Sequence, residues 1–394
     1  MPNLNNVSLF NLSPEHKALR EMTADFVKKE LEPQALEFDK KEHFNLELFR
    51  KLGHLGLLGL LIKEEELSGS NMDLTAMVIV HEELSSSDPG FCLAYLAHSV
   101  LCAYNIYRNA NEDQKKLFLP GLCSGNKIGA MAMSEPDCGT DALAMKTQAV
   151  KKEGIYLLNG RKMWITNGCI DNDKQACDYI LVYAKTGDKV SSFVVEKSFK
   201  GFSVGQKIED KLGMRASNTA ELVFDNCEVP SSHLIGKEGD SLIHMMRNLE
   251  VERLALASMS LGIARRCLEI MNRYSLERKS FKKSIRSFGQ IQKYLAKSYA
   301  EYQALRSYVY NTAQQMQAEP SKNYRLDCDG VKLLAGELGK VIADRAIQVL
   351  GGYGYVGEYV VERLWRDAKL LEIGGGTNEA LEKNITKELE SLIH

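Results

Sequence analysis

The stretch KMWITNG, residues 162–168, decides the fold class of this chain. Tryptophan, isoleucine and threonine favour strands, and the closing Asn-Gly pair is typical of a hairpin turn. The stretch therefore predicts a strand that ends in a tight turn. Trp164 alone does not indicate a binding site, because a tryptophan in a strand more often packs in the core than against a cofactor.

Further short β-rich segments lie on both sides of this strand. With it they comprise residues 127–133, 155–158, 162–166, 179–184, 192–195 and 221–224. Turn dipeptides such as Asn159-Gly160 and Asn167-Gly168 separate them. Short strands joined by turns predict a compact antiparallel β domain over residues 126–236.

Helical periodicity fills the chain before and after this domain. Ser13 is a predicted N-cap with Pro14 at the first helical position. Amphipathic segments follow at residues 46–52, 74–84, 111–119, 241–274, 290–316 and 324–350. The predicted fold class is thus α+β, with an N-terminal helical domain (1–125), the middle β domain (126–236) and a C-terminal helix bundle (237–394).

Composition excludes several classes of function. The net charge of −2 over 394 residues provides no basic field for nucleic acid. The longest apolar run, residues 55–62, is too short to span a membrane. Nine scattered cysteines without a CxxC pair argue against a disulfide framework or a zinc site, so no metal is expected. The first twelve residues resemble neither a secretory signal nor a transit peptide, which leaves the bacterial cytoplasm or, for a processed protein, the mitochondrial matrix.

A glycine motif, GYGYVG at residues 352–357, matches the GxGxxG pattern of nucleotide-binding folds. That pattern requires a strand before it and a helix after it, inside a βαβ unit. Here a long helical segment precedes the motif. A glycine-rich turn between two helices is therefore predicted instead, although its backbone amides could still bind a phosphate.

Each remaining motif is weak evidence of function when taken alone, but six of these motifs occur in a fixed order along the chain. They are SEPDCGTD (134–141), WITNG (164–168), LGMRAS (212–217), ERKSF (277–281), QVLGG (348–352), and RDAK followed by GGT (366–369 and 375–377). Together they resemble the acyl-CoA dehydrogenase family over nearly the whole chain. The segments AHS (97–99), RN (108–109), AMSEP (132–136) and KLGMR (211–215) are similar to the isovaleryl-type members.

The resemblance implies an FAD enzyme. Trp164 is expected beside the flavin ring, and Arg278 is expected to reach the distal half of FAD across a subunit boundary, in a homo-oligomer that is usually a tetramer. The implied cofactor-binding residues are Met133, Ser134, Thr140, Trp164, Ile165, Thr166, Arg278, Phe281, Gln348, Gly351, Gly352, Thr377 and Glu379.

The resemblance also implies the catalytic residues. Most members carry a glutamate base directly before Gly-Thr, but this chain has Gly375 there. Isovaleryl-type members supply the base from a helical Leu-x-x-Glu-Arg segment, which LEVER at residues 249–253 matches. Glu252 is therefore the predicted base, and the Gly375 N–H is expected to polarise the thioester oxygen. The implied substrate-binding residues are Ser134, Thr140, Glu250, Arg253, Gly374 and Gly375.

Two alternatives to the base prediction stay open on sequence. A glutamate in a charged helix is commonly a solvated surface residue. Glu250 is the nearest competitor of Glu252, but residues two apart on a helix point about 200° apart, so only one can face the flavin.

The implied reaction is conversion of isovaleryl-CoA to 3-methylcrotonyl-CoA, with electrons passed to electron-transferring flavoprotein. Short or medium straight acyl chains are the alternative substrates, and an oxygen-reducing oxidase or a non-catalytic acyl-CoA-binding relative are the alternative functions. Three departures from the family pattern are present: Lys282 replaces a common glycine, Gly289 replaces a flavin-contacting glutamine, and the loop at 169–178 is longer than in relatives.

Overall fold

A computed structural model describes residues 10–391. The outer ends of the two predicted helical domains, residues 1–9 and 392–394, lie outside the described residues. A mixed sheet lies between two groups of helices in chain order, as the fold-class prediction requires. Within the described range, no helix has both the length and the apolar character needed to cross a bilayer.

Between residue 10 and the sheet, the structure has seven α-helices. They are α1 (Pro14–Phe26), α2 (Glu32–Lys41), α3 (Leu46–His54), α4 (Leu74–Ser85), α5 (Pro89–Leu96), α6 (Asn105–Asn109) and α7 (Glu112–Ser124), with π-helical turns at Val27–Leu31 and Ala97–Tyr104. The Ser13 hydroxyl accepts from the His16 N–H at 3.2 Å, which confirms the predicted cap of α1. The sequence did not indicate α5 as a separate helix. Its own side chains are apolar on every face, so they show no amphipathic period.

Eight strands form the sheet. They are β1 (Gly129–Ala132), β2 (Gln148–Lys151), β3 (Ile155–Thr166), β4 (Tyr179–Thr186), β5 (Lys189–Glu196), β6 (Phe202–Lys207), β7 (Thr219–Pro230) and β8 (Leu234–Ile235). Their order is β6-β7-β3-β2-β4-β5-β8, with β1 beside β4. Most pairings are antiparallel as predicted, whereas β4 pairs in parallel with both β1 and β2.

The prediction of a turn at Asn159-Gly160 is wrong. Both residues lie inside β3, which pairs with β7 on either side of a register shift between Leu158 and Gly160. Gly160 has φ +150°, and a Cβ there would stand 2.8 Å from the Cβ of Thr147. The glycine therefore permits close contact inside a sheet, which a turn dipeptide in the sequence does not distinguish from a chain reversal.

Five α-helices follow the sheet. They are α8 (Ser241–Glu277), α9 (Gly289–Ala318), α10 (Arg325–Leu350), α11 (Val361–Ala368) and α12 (Asn378–Ser391), and a two-stranded ribbon, β9 (Lys279–Ser280) with β10 (Lys283–Ser284), joins α8 to α9. Helix α8 packs against α10 on one side and α4 on the other. The glycine motif lies in a 3₁₀ turn, Gly351–Tyr355, between α10 and α11, so the predicted helix-to-helix turn is confirmed.

A buried ionic cluster joins the two helical layers. Glu82 of α4 accepts hydrogen bonds from the hydroxyls of Tyr302 (2.9 Å) and Tyr310 (2.5 Å) of α9, and its carboxylate lies 3.3 Å from Arg20 and 3.4 Å from Arg306. Burial alone would raise the pKa of Glu82, but the three cations around it, Arg306 first, lower that pKa to about 2.

Candidate active site

Glu252 is buried where α8 passes the glycine segment 374–376. Its side chain is 8% exposed, and its Oε1 lies 3.5 Å from the point where a Cβ on Gly375 would stand. Its Oε2 is buried and has no hydrogen-bond partner among the described residues. Burial raises the pKa of Glu252 to about 7, against the opposing effects of Arg253 and Lys332. A carboxyl group with a pKa near neutrality and an unused oxygen is suited to accept a proton.

Glycine at position 375 suits the local backbone, because a φ of +66° is a value that glycine adopts without strain. A Cβ there would require Cδ1 of Leu256, the end of a flexible side chain, to shift. Gly374 differs, because a Cβ there would make only an ordinary contact, 3.6 Å from the Leu370 carbonyl oxygen. Because Gly374 has no side chain, free volume remains at that position. At position 375, the Glu252 carboxyl lies next to the place that a side chain would occupy.

Arg253 and Glu250 have partners within the protein. The Arg253 Nε donates to the Gly375 carbonyl at 3.0 Å, and its Nη1 donates to the buried Asp329 of α10. Glu250 is half-buried near Tyr324, at the start of α10, and burial raises the pKa of its carboxyl. Their predicted substrate contacts stay predictions, while the protein contacts of Arg253 fix the shape of the glycine segment.

An exposed aromatic platform lies at the end of β3. Trp164 has φ +67°, sits in a β-bulge between Lys162 and Ile165, and remains 62% exposed. A bulky residue with positive φ that leaves its ring in solvent is a local strain typical of functional sites. Ile165 and Thr166 follow it, and because the Ile165 side chain is buried, only its backbone can face a ligand.

The end of β1 is tied to this platform. The Met163 N–H donates to the Ser134 carbonyl at 2.9 Å, and the fully buried Lys162 donates from Nζ to the Met133 carbonyl and to Glu135 Oε1, both at 2.9 Å. Lys162 and Glu135 were not predicted as site residues. Their only sequence signal is a lysine inside an apolar strand.

These groups fit the flavin that the sequence predicts. The flat, exposed ring of Trp164 can cover one face of an isoalloxazine ring, and the segment from Met133 to Ser134 is held beside it. Thr140 is exposed in the loop beyond. Thr377 caps α12 by accepting from the Ala380 N–H at 3.3 Å, and Glu379 in the next turn is fully exposed.

A second group of predicted cofactor residues lies on the exposed end of the C-terminal helices. The Arg278 guanidinium lies 5.8 Å from the ring centre of Tyr353, and Phe281 is 87% exposed. Gln348, Gly351 and Gly352 are exposed, and a Cβ on either glycine would meet no atom within 4 Å. No described hydrogen bond or ring contact joins this group to Trp164 in one chain.

The three departures from the family pattern lie in the segment between β9 and β10, at the start of α9 and in the loop before β4. Lys282 has φ +64°, the value that a glycine would adopt without strain. Gly289 begins α9, and a Cβ there would meet no atom within 4 Å. The loop at 169–178 contacts the end of β6 and the segment just after α2. Asn172 Oδ1 accepts from Lys207 Nζ of β6 at 2.6 Å and lies 3.4 Å from the ring of His43, which follows α2.

Comparison with known proteins agrees with this arrangement. The acyl-CoA dehydrogenase N-terminal, middle and C-terminal domain models match residues 13–126, 130–227 and 242–390. The mitochondrial isovaleryl-CoA dehydrogenase of Solanum tuberosum is 40% identical over 95% of this chain and 90% of its own.

Two solved structures show the same likeness. Butyryl-CoA dehydrogenase from Megasphaera elsdenii has a TM-score of 0.92, 34% identity, and coverage of 97% of this chain and 100% of its own. A glutaryl-CoA dehydrogenase from Mycobacterium smegmatis in complex with FADH2 has a TM-score of 0.90, 28% identity, and coverage of 96% and 95%. With a helical–β–helical order, a buried carboxyl beside the glycine segment and matches along the whole length, this chain belongs to the FAD-dependent acyl-CoA dehydrogenase family.

Proposed function

We propose that this enzyme converts isovaleryl-CoA to 3-methylcrotonyl-CoA and passes the electrons to electron-transferring flavoprotein. The observation that carries the proposal is the Glu252 carboxyl beside Gly375, with unfilled space at Gly374. This combination provides a base and leaves room for a branch at C3 of the acyl chain. The potato relative with 40% identity bears the name isovaleryl-CoA dehydrogenase, which supports the same substrate.

The protein groups divide the chemistry between them. Glu252 takes the α-proton, which the thioester makes acidic, and its raised pKa lets it be ionised near neutral pH and still bind the proton firmly. The Gly375 N–H polarises the thioester oxygen. Ser134 and Thr140 bind the substrate along the channel for its pantetheine arm. FAD supplies the acceptor for the β-hydrogen, which leaves as hydride.

FAD is bound by two surfaces in the proposed assembly. Met133, Ser134, Trp164 and Thr166 would hold the flavin ring, and Arg278 with the turn at 351–352 would hold the distal half of the FAD of a neighbouring subunit. The lack of any described hydrogen bond or ring contact between these two surfaces within one chain is compatible with a homo-oligomer, and a tetramer is the form we propose. The name of the potato relative says that it is mitochondrial, and both the mitochondrial matrix and the bacterial cytoplasm stay predictions for this chain.

A panel of acyl-CoA thioesters tests the substrate. Isovaleryl-CoA, butyryl-CoA and octanoyl-CoA are mixed anaerobically with the holoenzyme, and bleaching of the flavin absorbance is followed. We expect the highest kcat/KM with isovaleryl-CoA and measurable rates with its neighbours, since one methylene changes discrimination by only about 1–3 kcal/mol. A roughly tenfold preference for butyryl-CoA or octanoyl-CoA, about 1.4 kcal/mol, would establish the straight-chain alternative.

The butyryl-CoA dehydrogenase structure, 34% identical, is the reason to keep straight chains as the second candidate. Reoxidation is measured in the same preparation. Transfer to electron-transferring flavoprotein without peroxide supports a dehydrogenase, whereas stoichiometric peroxide in air would make the protein an oxidase. No bleaching with any thioester would identify a non-catalytic relative.

A further inference from the structure

Two cations bind successive carbonyls of the glycine segment from outside. Arg253 of α8 donates to the carbonyl of Gly375, and Lys332 of α10 donates from Nζ to the carbonyl of Gly376. Both glycines have positive φ, +66° and +103°. Glycine adopts such φ values without strain but has many other conformations open to it, so the two hydrogen bonds hold the segment in this one.

Lys332 is buried as deeply as a core residue. It is 1% exposed, and it lies one turn along α10 from Asp329, which pairs with Arg253. A lysine is seldom fully buried unless it is paired. Burial first and Arg253 next lower the pKa of Lys332 to about 8, and Glu252 opposes the change. The side chain is thus an ammonium at neutral pH, and it binds the glycine segment at Gly376, next to the position 375 that the Glu252 carboxyl approaches.

Charged and titratable groups near Glu252 come from three elements. Arg253 lies on α8 itself, Lys332 and Asp329 lie on α10, and Tyr183 lies on β4, where its hydroxyl accepts from Asn105 at 2.9 Å. Glu372 lies beyond Lys332 and pairs with Lys340 and Lys369. Lys332 and Arg253 are therefore the cations that oppose the effect of burial on Glu252.

We propose that Lys332 is a positioning residue of this active site: its ammonium fixes the carbonyl of Gly376 and balances the charge of Glu252. The inference rests on the proposed function, because it assigns Lys332 to the base and the glycine segment used there. Lys332 acts through these groups and does not itself touch the reacting carbons. Its loss should affect both the ionisation of Glu252 and the geometry of the segment.

Three substitutions in the holoenzyme separate these two effects. Lys332→Met removes the charge and the hydrogen bond, Lys332→Gln removes the charge but keeps an N–H for Gly376, and Lys332→Arg keeps the charge. Lys340→Met is the matched control, because Lys340 lies on the same helix and pairs with Glu372 at 2.6 Å outside the site. If Lys332→Met does not fold, the Gln variant carries the test of the charge.

Two measurements are made over about pH 5.5 to 9, the range in which a base near neutrality titrates. The first is the rate of anaerobic flavin reduction by isovaleryl-CoA. The second is the infrared band of the protonated Glu252 carboxyl without substrate, assigned by its absence in Glu252→Gln. The infrared titration needs no turnover, so it reports on Lys332 even if no thioester reduces the flavin and the proposed function fails.

The Met and Gln variants should titrate Glu252 about one pH unit higher, because loss of a nearby cation destabilises the carboxylate. The limiting reduction rate should fall about tenfold in Lys332→Met, about 1.4 kcal/mol, and less in Lys332→Gln, which still holds Gly376. Lys332→Arg and Lys340→Met should titrate as the unchanged enzyme does. An unchanged Glu252 titration in both Met and Gln variants, or an equal shift in Lys340→Met, would overturn the proposal.

Discussion

The Glu252 Oε1 atom lies 3.5 Å from the place that a Cβ of Gly375 would occupy. The side chain of one residue thus ends where the side chain of the other would begin, although the two are far apart in sequence. A carboxyl group from either position would reach the same region. A base on α8, as proposed for Glu252, would therefore act at the same place as a base at position 375.

The first prediction concerns Glu252→Gln. The amide keeps the size of the side chain and cannot accept the α-proton, so the rate of flavin reduction by isovaleryl-CoA should fall by at least about 10³-fold. FAD content and thioester binding should be retained. Stopped-flow absorbance under anaerobic conditions measures the rate, and a binding titration with a non-reducible thioester measures the affinity.

Glu250→Gln is the control for this prediction. Glu250 is two residues away on the same helix and faces the start of α10, so its substitution should change the rate by less than about tenfold. Near-normal flavin reduction in Glu252→Gln, or a greater loss in Glu250→Gln, would remove Glu252 from the mechanism.

The second prediction is a pH dependence of stability. The pKa of Glu252 in the folded protein, about 7, exceeds its ordinary value of 4.5, so the folded state binds this proton more firmly than the unfolded state does. Stability from this group is complete below about pH 4.5 and is lost as pH rises through about 7. Glu252→Gln should therefore raise the Tm relative to the unchanged protein at pH 8, with little difference at pH 5.

Thermal unfolding of the holoenzyme at the two pH values measures this effect. The gain at pH 8 should not exceed about 3.5 kcal/mol, since one pKa unit corresponds to about 1.4 kcal/mol. Glu250→Gln serves again as control. A Tm difference that is the same at both pH values would show that Glu252 titrates normally in the folded protein.

The sequence predicted the helices better than the sheet. Segments 241–274, 290–316 and 324–350 agree with α8, α9 and α10 to within a few residues, because long amphipathic helices repeat their pattern over many turns. Strand β2 was missed because it has four residues and only one buried side chain. At Asn159-Gly160 a turn signal proved to be a register shift inside β3, where Thr147, just before β2, comes so close that only glycine fits.

The site was predicted through family resemblance, which gives the residues but not their support. The motif LEVER places Glu252 on a helix, yet no local pattern shows that Lys332, about eighty positions later, faces it. Lys162 and Glu135 were missed for the same reason. A buried ion pair is formed by tertiary packing, and its two members look like ordinary charged residues in the sequence.

The third prediction concerns the buried Lys162–Glu135 ion pair beside the aromatic platform at Trp164. Lys162→Met removes the donor that holds the Met133 carbonyl and leaves Glu135 buried with its charge unbalanced. FAD should bind at least about tenfold more weakly, equivalent to about 1.4 kcal/mol. Titration of the apoprotein with FAD, followed by flavin fluorescence, measures the dissociation constant.

Lys146→Met is the matched control for the platform. Lys146 forms an exposed pair with Asp137 at 2.8 Å in the neighbouring loop, so its loss should leave FAD affinity nearly unchanged. Substituting both Lys162 and Glu135 with methionine should recover part of the folding stability without restoring FAD affinity. Equal affinities in Lys162→Met and the unchanged protein would show that the pair supports only the fold.

The last prediction concerns the buried ionic cluster around Glu82. Glu82→Gln removes the negative charge from a site that faces Arg306, Arg20 and Arg265, so these cations lose one of their counter-charges in the core. Unfolding free energy should fall by about 3–5 kcal/mol, the usual cost of breaking a buried pair on one side. Urea unfolding at neutral pH measures it.

The same cluster predicts the acid sensitivity of the protein. Because the folded pKa of Glu82, about 2, lies below its ordinary value of 4.5, its contribution is complete above about pH 4.5 and is lost as pH falls towards 2. The unchanged protein should lose stability over that range more steeply than Glu82→Gln does. Glu37→Gln, which removes an exposed partner of Lys41, should cost less than about 0.5 kcal/mol and keep the steep acid limb. If the free energy of unfolding falls equally steeply with pH in Glu82→Gln and in the unchanged protein, other carboxylates cause the acid unfolding.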